Sequence, residues 1–213
     1  MSNNLLTVWQ SSCKEGFSTK VLPDGCRDVI FKLVGKERPA WVVSPLFNQS
    51  KNIYVEGGSK LIGYRMRPGV EFNEDKLICH LTCSDIAPDD VKNILDDFTH
   101  LDSSIGEALD CLASDIATVR GASVRLGVSS RTLQRLILNK TGRTPSYWFQ
   151  LARVRKAGKD LSSVSDLSIL AEMHGFSDQA HMTRVFQRWF SSPPKRVIQT
   201  PELISQLRDT GYG

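Results

Sequence analysis

The sequence lacks the features that mark membrane proteins, secreted proteins and the common enzyme classes. No apolar run in its 213 residues approaches the roughly 20 residues that a membrane-spanning helix needs. The first five residues have neither the basic start nor the apolar core of a signal peptide. No Gly-x-Ser-x-Gly elbow, phosphate loop, dinucleotide glycine fingerprint or zinc-protease helix occurs. We therefore expect a cytoplasmic protein without membrane contact, cofactor or enzymatic activity.

Cysteine is scarce and irregularly placed. The five cysteines are odd in number, which indicates reduced thiols, and they stand at positions 13, 26, 79, 83 and 111. Cys79 and Cys83 would share one face of a helix, but His80 points elsewhere and no fourth ligand is evident. The pattern favours structural thiols and no metal site. Cys26 beside Arg27 could be a redox sensor, although a small residue at the start of a strand explains it equally well.

Charge divides the chain into two halves. Residues 1–112 contain 12 Lys and Arg against 16 Asp and Glu, whereas residues 113–213 contain 15 against 7. The second half therefore carries the basic charge that a polyanion such as nucleic acid would require. Many ordinary domains are mildly basic, so this indication depends on a motif in the same region.

The first half is typical of a small β-rich domain. The triplet Pro23-Asp24-Gly25 predicts a turn, and further Pro, Asn and Gly clusters separate short apolar segments. Segment 73–81 fits a strand by alternation, but Asn73 as a cap and two acids in the first turn favour a helix. Several short strands predict a small barrel or sandwich. The predicted strands are Thr19–Leu22, Cys26–Leu33, Ala40–Val43, Ile53–Val55 and Leu61–Arg67.

Helical periodicity replaces alternation in the rest of the chain. One helix opens at Pro88 and another at the capping box Ser104–Glu107, and we expect these helices to connect two domains. The predicted organisation is α+β: a regulatory, effector-binding or dimerisation domain over 1–100, a helical linker over 101–116 and an all-α domain over 117–213. The helices predicted for the all-α domain are Ala117–Leu126, Ser129–Lys140, Thr144–Leu161, Asp166–His174 and Ser177–Phe190, with Pro193-Pro194 as the stop.

Two segments of the second half share one design. Gly127-Val128-Ser129 precedes one helical segment, and Gly175-Phe176-Ser177 precedes another. In each, a Gly supplies left-handed backbone, a buried apolar residue follows, and a Ser can cap the next helix. The pattern predicts two helix-turn-helix units joined by one long helix. Their second helices could enter successive major grooves, roughly 34 Å apart.

The polar faces of these two second helices suit base recognition. In the first, Arg131, Gln134 and Arg135 face away from Leu133, Leu136 and Ile137. In the second, an apolar stripe from Met182 to Trp189 leaves Ser177, His181, Arg184 and Arg188 on the opposite face. Arg can bind guanine bidentately and Gln can bind adenine in the same way. Solvated helix faces are the alternative, but two such faces behind one turn signature favour DNA.

Residues 117–198 resemble the DNA-binding domain of the AraC/XylS family of bacterial transcription regulators. The resemblance implies sequence-specific binding of double-stranded DNA. It is carried by Gly127-Val128-Ser129, Thr132-Leu133-Gln134-Arg135, Thr141-Gly142-Arg143-Thr144-Pro145, and Gly175-Phe176-Ser177-Asp178-Gln179 through Phe186 and Phe190. The base-reading residues that it implies are Arg131, Gln134, Arg135, Gln179, Ala180, His181 and Arg184. Candidate phosphate contacts are Ser129, Arg143, Ser177, Arg188, Lys195 and Arg196.

The second helix-turn-helix unit departs from the family pattern. Ala180 can only make apolar contact, for instance with a thymine methyl group. Ser191 replaces the usual Gly after the second helix, and Val197 and Ile198 replace the closing Tyr and Arg. These changes concern the last helical turn and its phosphate contacts. We expect the first unit to carry more of the base discrimination, and the second to rely on Arg184 and the DNA backbone.

The first half is similar to a sensor-type domain found in a branch of this family. Segments 22–31 and 63–69 carry this shorter resemblance, which implies a β-rich fold such as a cupin-like barrel. Arg65 and Arg67 would alternate onto one strand face and could clamp an anionic effector. Trp41, with Trp9 and Phe31, could line the pocket. A solvated strand face and a packed core are the alternatives.

The expected partner is double-stranded DNA, and RNA polymerase, a small-molecule effector and a second copy of the chain are further candidates. One alternative keeps DNA binding but makes the first domain a dimerisation or polymerase-contact module without ligand sensing. Another is a DNA-alkyl-transfer protein with a reactive zinc-bound Cys. That second alternative requires four clustered zinc ligands, which the cysteine spacing does not supply.

Overall fold

The computed structural model describes residues 4–84, 86–114 and 118–213, and the chain divides into two compact units. The first unit contains the chain up to Thr19, Cys26–Leu46 and Asn52–Ser103. The second unit contains Lys20–Gly25, Phe47–Lys51 and Ser104–Gly213. Two short segments from the first half of the chain therefore belong to the unit that contains the helical second half.

Strands dominate the first half of the chain. They are β1 (Leu5–Ser12), β2 (Phe17–Val21), β3 (Asp28–Val34), β4 (Ala40–Val43), β5 (Lys51–Val55), β6 (Ser59–Met66), β7 (Glu71–Phe72) and β8 (Thr99–His100). An antiparallel sheet has the order β1-β6-β3-β4, while β2 pairs with β5 and β7 pairs with β8. Tyr64 of β6 lies opposite Val8 of β1 and Val29 of β3. This register fixes which side chains face the core, because alternate residues of a strand face opposite sides.

Two helices complete the core of the first unit. They are α1 (Glu74–Cys83) and α2 (Val91–Phe98), the latter after a 3₁₀ turn at Pro88–Asp90. Leu77 of α1 and Leu95 of α2 are fully buried in one cluster with Val29 and Met66. The helix predicted for segment 73–81 is therefore confirmed. The helix predicted from Pro88, which we expected to connect two domains, is instead part of this core.

Eight helices belong to the second unit in the part of the chain that the structure describes. They are α3 (Ser103–Ala113), α4 (Val119–Arg125), α5 (Ser130–Thr141), α6 (Pro145–Asp160), α7 (Leu167–Met173), α8 (Gln179–Phe190), α9 (Pro194–Ile198) and α10 (Pro201–Arg208). The long helix α6 lies at the centre, where Trp148, Leu151 and Val154 are buried. Arg155 on the same helix is also fully buried, and its guanidinium donates to the carbonyls of Pro23, Leu207 and Asp209 at 3.3–3.5 Å.

The predicted fold class, a β-rich first half followed by an all-α domain, is confirmed. Some helix ends differ from the prediction by one or two residues. Ser104 lies inside α3 and not at its cap, since α3 already begins at Ser103. Ala117, which we placed in the helix that precedes the first turn, lies outside the described residues. Within the described part of the chain, no helix is both long and apolar enough to cross a membrane.

Candidate nucleic-acid interface

The turns between α4 and α5 and between α7 and α8 have the same backbone hydrogen bonds. Gly127 N donates to Val124 O at 3.1 Å, and Gly175 N donates to Glu172 O at 3.0 Å. The amide that follows each Gly bonds the carbonyl five residues earlier, at 3.0 Å for Val128 and 2.9 Å for Phe176. This is the Schellman arrangement, which needs a left-handed residue at the glycine position. Both glycines supply it, with φ of +66° and +68°.

The residue after each glycine differs between the two turns. Phe176 is buried, as predicted, but Val128 is 37% exposed, so the predicted burial of an apolar residue at that position is wrong. Arg153 of α6 packs against Phe176 and so keeps it buried. Its guanidinium lies 4.6 Å from the Phe176 ring and donates to Gly175 O at 3.2 Å. Sequence reasoning missed Arg153, because its position within a helix gives no local signal of a contact more than 20 residues away.

The second helix after each turn, α5 or α8, is capped by a side chain. Ser129 Oγ accepts from Thr132 N at 3.1 Å, which confirms the predicted cap of α5. For α8 the predicted cap, Ser177, is wrong. Asp178 Oδ1 accepts from His181 N at 2.5 Å and caps α8 instead. This backbone hydrogen bond lowers the pKa of Asp178, because it stabilises the carboxylate.

The predicted reading face of α5 is open to solvent. Arg131, Gln134 and Arg135 are all exposed, while Leu133 and Ile137 on the other face are fully buried. In the part of the chain that the structure describes, no salt bridge or side-chain hydrogen bond holds any of these three polar residues. A helix with two free guanidiniums and a free amide near its N-terminus can present all of its donors to the base edges of a major groove.

The predicted reading face of α8 is partly occupied by contacts within the protein. Gln179, Ala180 and Arg184 line an open groove of about 1040 Å³, which Glu172 and Asp178 also line. Gln179 Oε1 accepts from Ser168 Oγ at 3.3 Å. His181 is half-buried, with Nδ1 3.0 Å from Ser177 Oγ and its ring 5.6 Å from that of Phe176. The structure therefore brings three of the four predicted readers of α8 to one groove and holds the fourth, His181, in the turn.

Comparison with known proteins identifies this pair of turns. A family model described as a helix-turn-helix domain matches residues 122–200. The transcriptional regulator RipA of Corynebacterium glutamicum is 38% identical over 68 residues, which is 32% of this chain and 20% of RipA. The transcriptional activator RhaS of Yersinia pestis is 36% identical over 87 residues, which is 39% of this chain and 29% of RhaS. Residues 122–200 therefore form a helix-turn-helix domain that is similar to segments of these two regulators.

The matched part spans less than a third of the length of either relative. Among solved structures, a transcriptional regulator from Chromobacterium violaceum with an AraC-type DNA-binding domain is 23% identical. That likeness covers 51% of this chain and 96% of the other chain, with a TM-score of 0.41.

The residues predicted to contact phosphate differ in how exposed their side chains are. Arg188, Lys195 and Arg196 are exposed, the last two on α9. Arg143 is half-buried, with its guanidinium 5.5 Å from the Tyr147 ring. The hydroxyls of Ser129 and Ser177 are already used in the cap and in the contact with His181.

The end of α8 is strained at Ser191, one of the positions where the sequence departs from the AraC/XylS pattern that it resembles. Ser191 has φ of +50° and is the only non-glycine residue with positive φ in the described ranges. Ser50 lies against this end of the helix. It donates through Oγ to Ser191 Oγ at 2.9 Å and through N to Trp189 O at 2.8 Å. Val197 is buried and Ile198 is exposed, so of these two altered positions only Val197 packs into the core.

The effector candidates do not meet at one site. Arg65 forms an ion pair with Asp28, with Nε 3.2 Å from Oδ1, and Trp9 Nε1 also donates to Asp28 at 2.8 Å. Because β6 ends at Met66, Arg67 lies beyond the strand, and its predicted place on the same strand face as Arg65 is wrong. The ring centroids of Trp41 and Phe31 lie 5.0 Å apart. Neither Arg65 nor Arg67 lines the cavity at Trp41. The role of these residues in effector binding stays a prediction.

Proposed function

We propose that the chain is a sequence-specific regulator of transcription that reads two successive major grooves of double-stranded DNA with α5 and α8. The observation that carries the proposal is the repeated Schellman turn, followed each time by a side-chain-capped helix with exposed polar residues. The curated relatives RipA and RhaS, whose matched segments are 36–38% identical, are named as transcriptional regulators. The basic charge of residues 113–213 supports the same partner.

The two reading helices contribute unequally in this proposal. Arg131, Gln134 and Arg135 offer free hydrogen-bond donors from α5 to base edges. On α8, Gln179 and His181 already have partners within the protein, and Ala180 offers only a methyl group. Glu172 and Asp178 line the same groove, and like charge opposes the approach of phosphates there. We therefore assign most base discrimination to α5, and we assign the main polar contact of α8 to Arg184.

Regulation through the first unit is the finer part of the proposal. A first domain over residues 1–100 that senses an effector fits the sensor-type resemblance. The ion pair between Arg65 and Asp28 favours the second candidate, a dimerisation or polymerase-contact module without ligand sensing, because the carboxylate already compensates that charge. The alkyl-transfer alternative has no such support. Among the described side chains, no three His, Cys, Asp or Glu residues are placed together to hold a metal ion.

Selection of binding sites from random DNA at a defined salt concentration tests the proposal. Two short boxes about one helical turn apart, with centres roughly 34–36 Å from each other, are the expected result. Failure to enrich any motif would contradict sequence-specific regulation.

Alanine variants then assign the reading residues. Arg135→Ala or Arg184→Ala should each weaken the free energy of binding to the selected site by about 1–3 kcal/mol. Each variant should also lose base preference in one of the two boxes. Arg208→Ala, an exposed Arg on α10, is the matched control and should bind as the natural chain does. Equal loss on every sequence would reassign Arg135 or Arg184 to the phosphate backbone. Equal per-base penalties in the two boxes would refute the unequal roles.

A further inference from the structure

A cavity in the second unit is lined by basic residues that the proposed function does not use. It has a volume of about 340 Å³ and lies where the end of α3 and the long helix α6 meet the turn between α7 and α8. Among the described residues that line it, Arg153, Lys156 and His174 are basic and none is Asp or Glu. The groove along α8 differs, because Glu172 and Asp178 line it. This cavity is therefore suited to an anion.

Arg153 brings a charge to the cavity that no carboxylate in the described part of the chain compensates. Its Nη1 donates to Gly175 O at 3.2 Å, and its guanidinium lies 4.6 Å from the centre of the Phe176 ring. Its Nε is buried without a hydrogen-bond partner, and its Nη2 makes no hydrogen bond with the described residues. Burial lowers the pKa of Arg153, because the charged form loses part of its hydration. An anion beside this guanidinium would stabilise it.

Lys156 brings a second charge to the same side of the cavity. It follows Arg153 by three residues, so the two side chains are neighbours on one face of α6. Like charges at this spacing repel each other, and one carboxylate between them relieves that repulsion. His174 has an acidic partner already, since its Nε2 lies 3.0 Å from Asp160 Oδ2. Arg153 and Lys156 are therefore the pair that can bind a carboxylate.

The other side of the cavity is apolar. Leu112 and Ala152 are buried there, Phe149 is half-buried, and Met173 is exposed. An inorganic anion would leave this apolar surface in contact with water. An organic anion with an aromatic or aliphatic part would cover it, and removal of apolar surface from water is favourable. The volume is also within the range of about 300–1,000 Å³ that is typical of small-molecule sites.

We propose that this cavity binds one small organic anion, a monocarboxylate with an apolar part. The carboxylate lies beside Arg153 and Lys156, and the apolar part packs against Phe149. Binding is non-covalent and transfers no proton. Because Arg153 also donates to Gly175 O, the ligand binds next to the turn that precedes α8. The site belongs to the second unit, and it does not depend on whether the chain binds DNA.

Nuclear magnetic resonance of the full chain, labelled with ¹³C at the methionine methyl groups, tests this proposal. Of the four methionines, Met173 lines the cavity and Met66 is buried in the first unit. The probes are phenylacetate and hexanoate. We expect both to shift the Met173 resonance saturably, with a Kd of about 1 mM or below, and to leave Met66 unchanged.

Two further compounds separate the charge of the probe from its apolar part. Phenylacetamide has nearly the shape of phenylacetate without its charge. It should bind at least about tenfold more weakly, because hydrogen bonds to a charged group are the stronger ones. Inorganic phosphate has charge without an apolar part and should also bind more weakly than phenylacetate.

Variants then test the two sides of the cavity. Lys156→Met removes a charge and should weaken phenylacetate binding about fivefold. Lys36→Met, at an exposed position of the first unit, makes the same change of charge and is the matched control, which should bind as the natural chain does. Ala113→Phe places a ring in the cavity and should abolish binding without a change of charge. Circular dichroism checks that each variant is folded.

Several results would overturn the proposal. One is the lack of a saturable shift of Met173 in the natural chain with either carboxylate at about 10 mM. Another is a shift of Met66 in its place, which would move the site to the first unit. Equal affinity for phenylacetamide or for phosphate would exclude an organic anion as the ligand. Equal weakening in Lys36→Met and Lys156→Met would show an effect of net charge alone.

Discussion

Replacing Ser191 by Gly and by Ala separates two opposing contributions of this residue to the end of α8. Its backbone has φ of +50°, and its hydroxyl accepts a hydrogen bond from Ser50 at 2.9 Å. Alanine removes the hydroxyl and keeps the strain. Glycine removes both.

The expected changes follow from the sizes of these two effects. A side chain in the left-handed region costs roughly 1–2 kcal/mol, and the greater freedom of glycine in the unfolded chain offsets about 0.5–1 kcal/mol of the relief. The hydrogen bond contributes about 0.5 kcal/mol, at the low end of its range, because water can replace it at the exposed Ser191. Ser191→Ala should therefore lower the free energy of unfolding by about 0.5 kcal/mol. The free energy of unfolding of Ser191→Gly should be higher than that of Ser191→Ala by about 1 kcal/mol.

Urea unfolding followed by tryptophan fluorescence measures this difference. Trp148 and Trp189 lie in the second unit, so a background with Trp9→Phe and Trp41→Phe reports on that unit alone. In a chain of this size, 1 kcal/mol shifts Tm by about 2–4 °C, which a melting curve resolves. Ser205 in α10 is the matched control, because a glycine inside a helix should be about 1 kcal/mol less stable than alanine. An alanine variant at position 191 that is as stable as the glycine variant would refute left-handed strain there.

Two further predictions concern buried groups. Arg155→Met should lower the free energy of unfolding by about 3 kcal/mol in urea, since three carbonyls lose a charged donor, and near-natural stability would count against this role. Burial, and then the charge of Asp89, raise the pKa of Tyr64 from 10.0 to about 12. Because the folded state favours the neutral phenol, this contribution is complete below pH 10 and is lost as the pH rises through about 12. Tyr64→Phe should flatten the pH dependence of stability in that range, and an unchanged slope would exclude Tyr64 as its source.

Local sequence signals predicted most of the helical domain. Caps such as Ser129 and apolar stripes such as Met182 to Trp189 act within one or two helical turns, so the sequence shows them directly. The same reasoning misplaced the cap of α8, because Ser177 and Asp178 are both good caps and only the path of the turn selects between them. It also missed β1, whose polar Gln10, Ser11 and Ser12 weaken the strand pattern until β6 pairs with it.

Contacts between distant residues were beyond prediction. The sequence around Arg65 predicted a residue that binds an anionic effector. The carboxylate that compensates its charge, Asp28, lies 37 residues away on a neighbouring strand. In the same way, no local pattern assigns segments 20–25 and 47–51 to the unit that contains α5 and α8. Pairing across a sheet and packing across a unit depend on the whole fold, which a single sequence does not display.

The two early segments in the second unit affect how this protein can fold during synthesis. Gln206 Nε2 donates to Lys20 O at 2.7 Å, and Leu22 N donates to Gln206 Oε1 at 3.0 Å, a sequence separation of more than 180 residues. A ribosome that adds about 5–20 residues per second needs roughly 10–40 s to synthesise the chain between two such partners. Until then these early segments cannot form their contacts with α10, although β2 and β5 can already pair with each other. The second unit is thus completed only after α10 has been synthesised, and contacts between residues this far apart in sequence should make that final step slow.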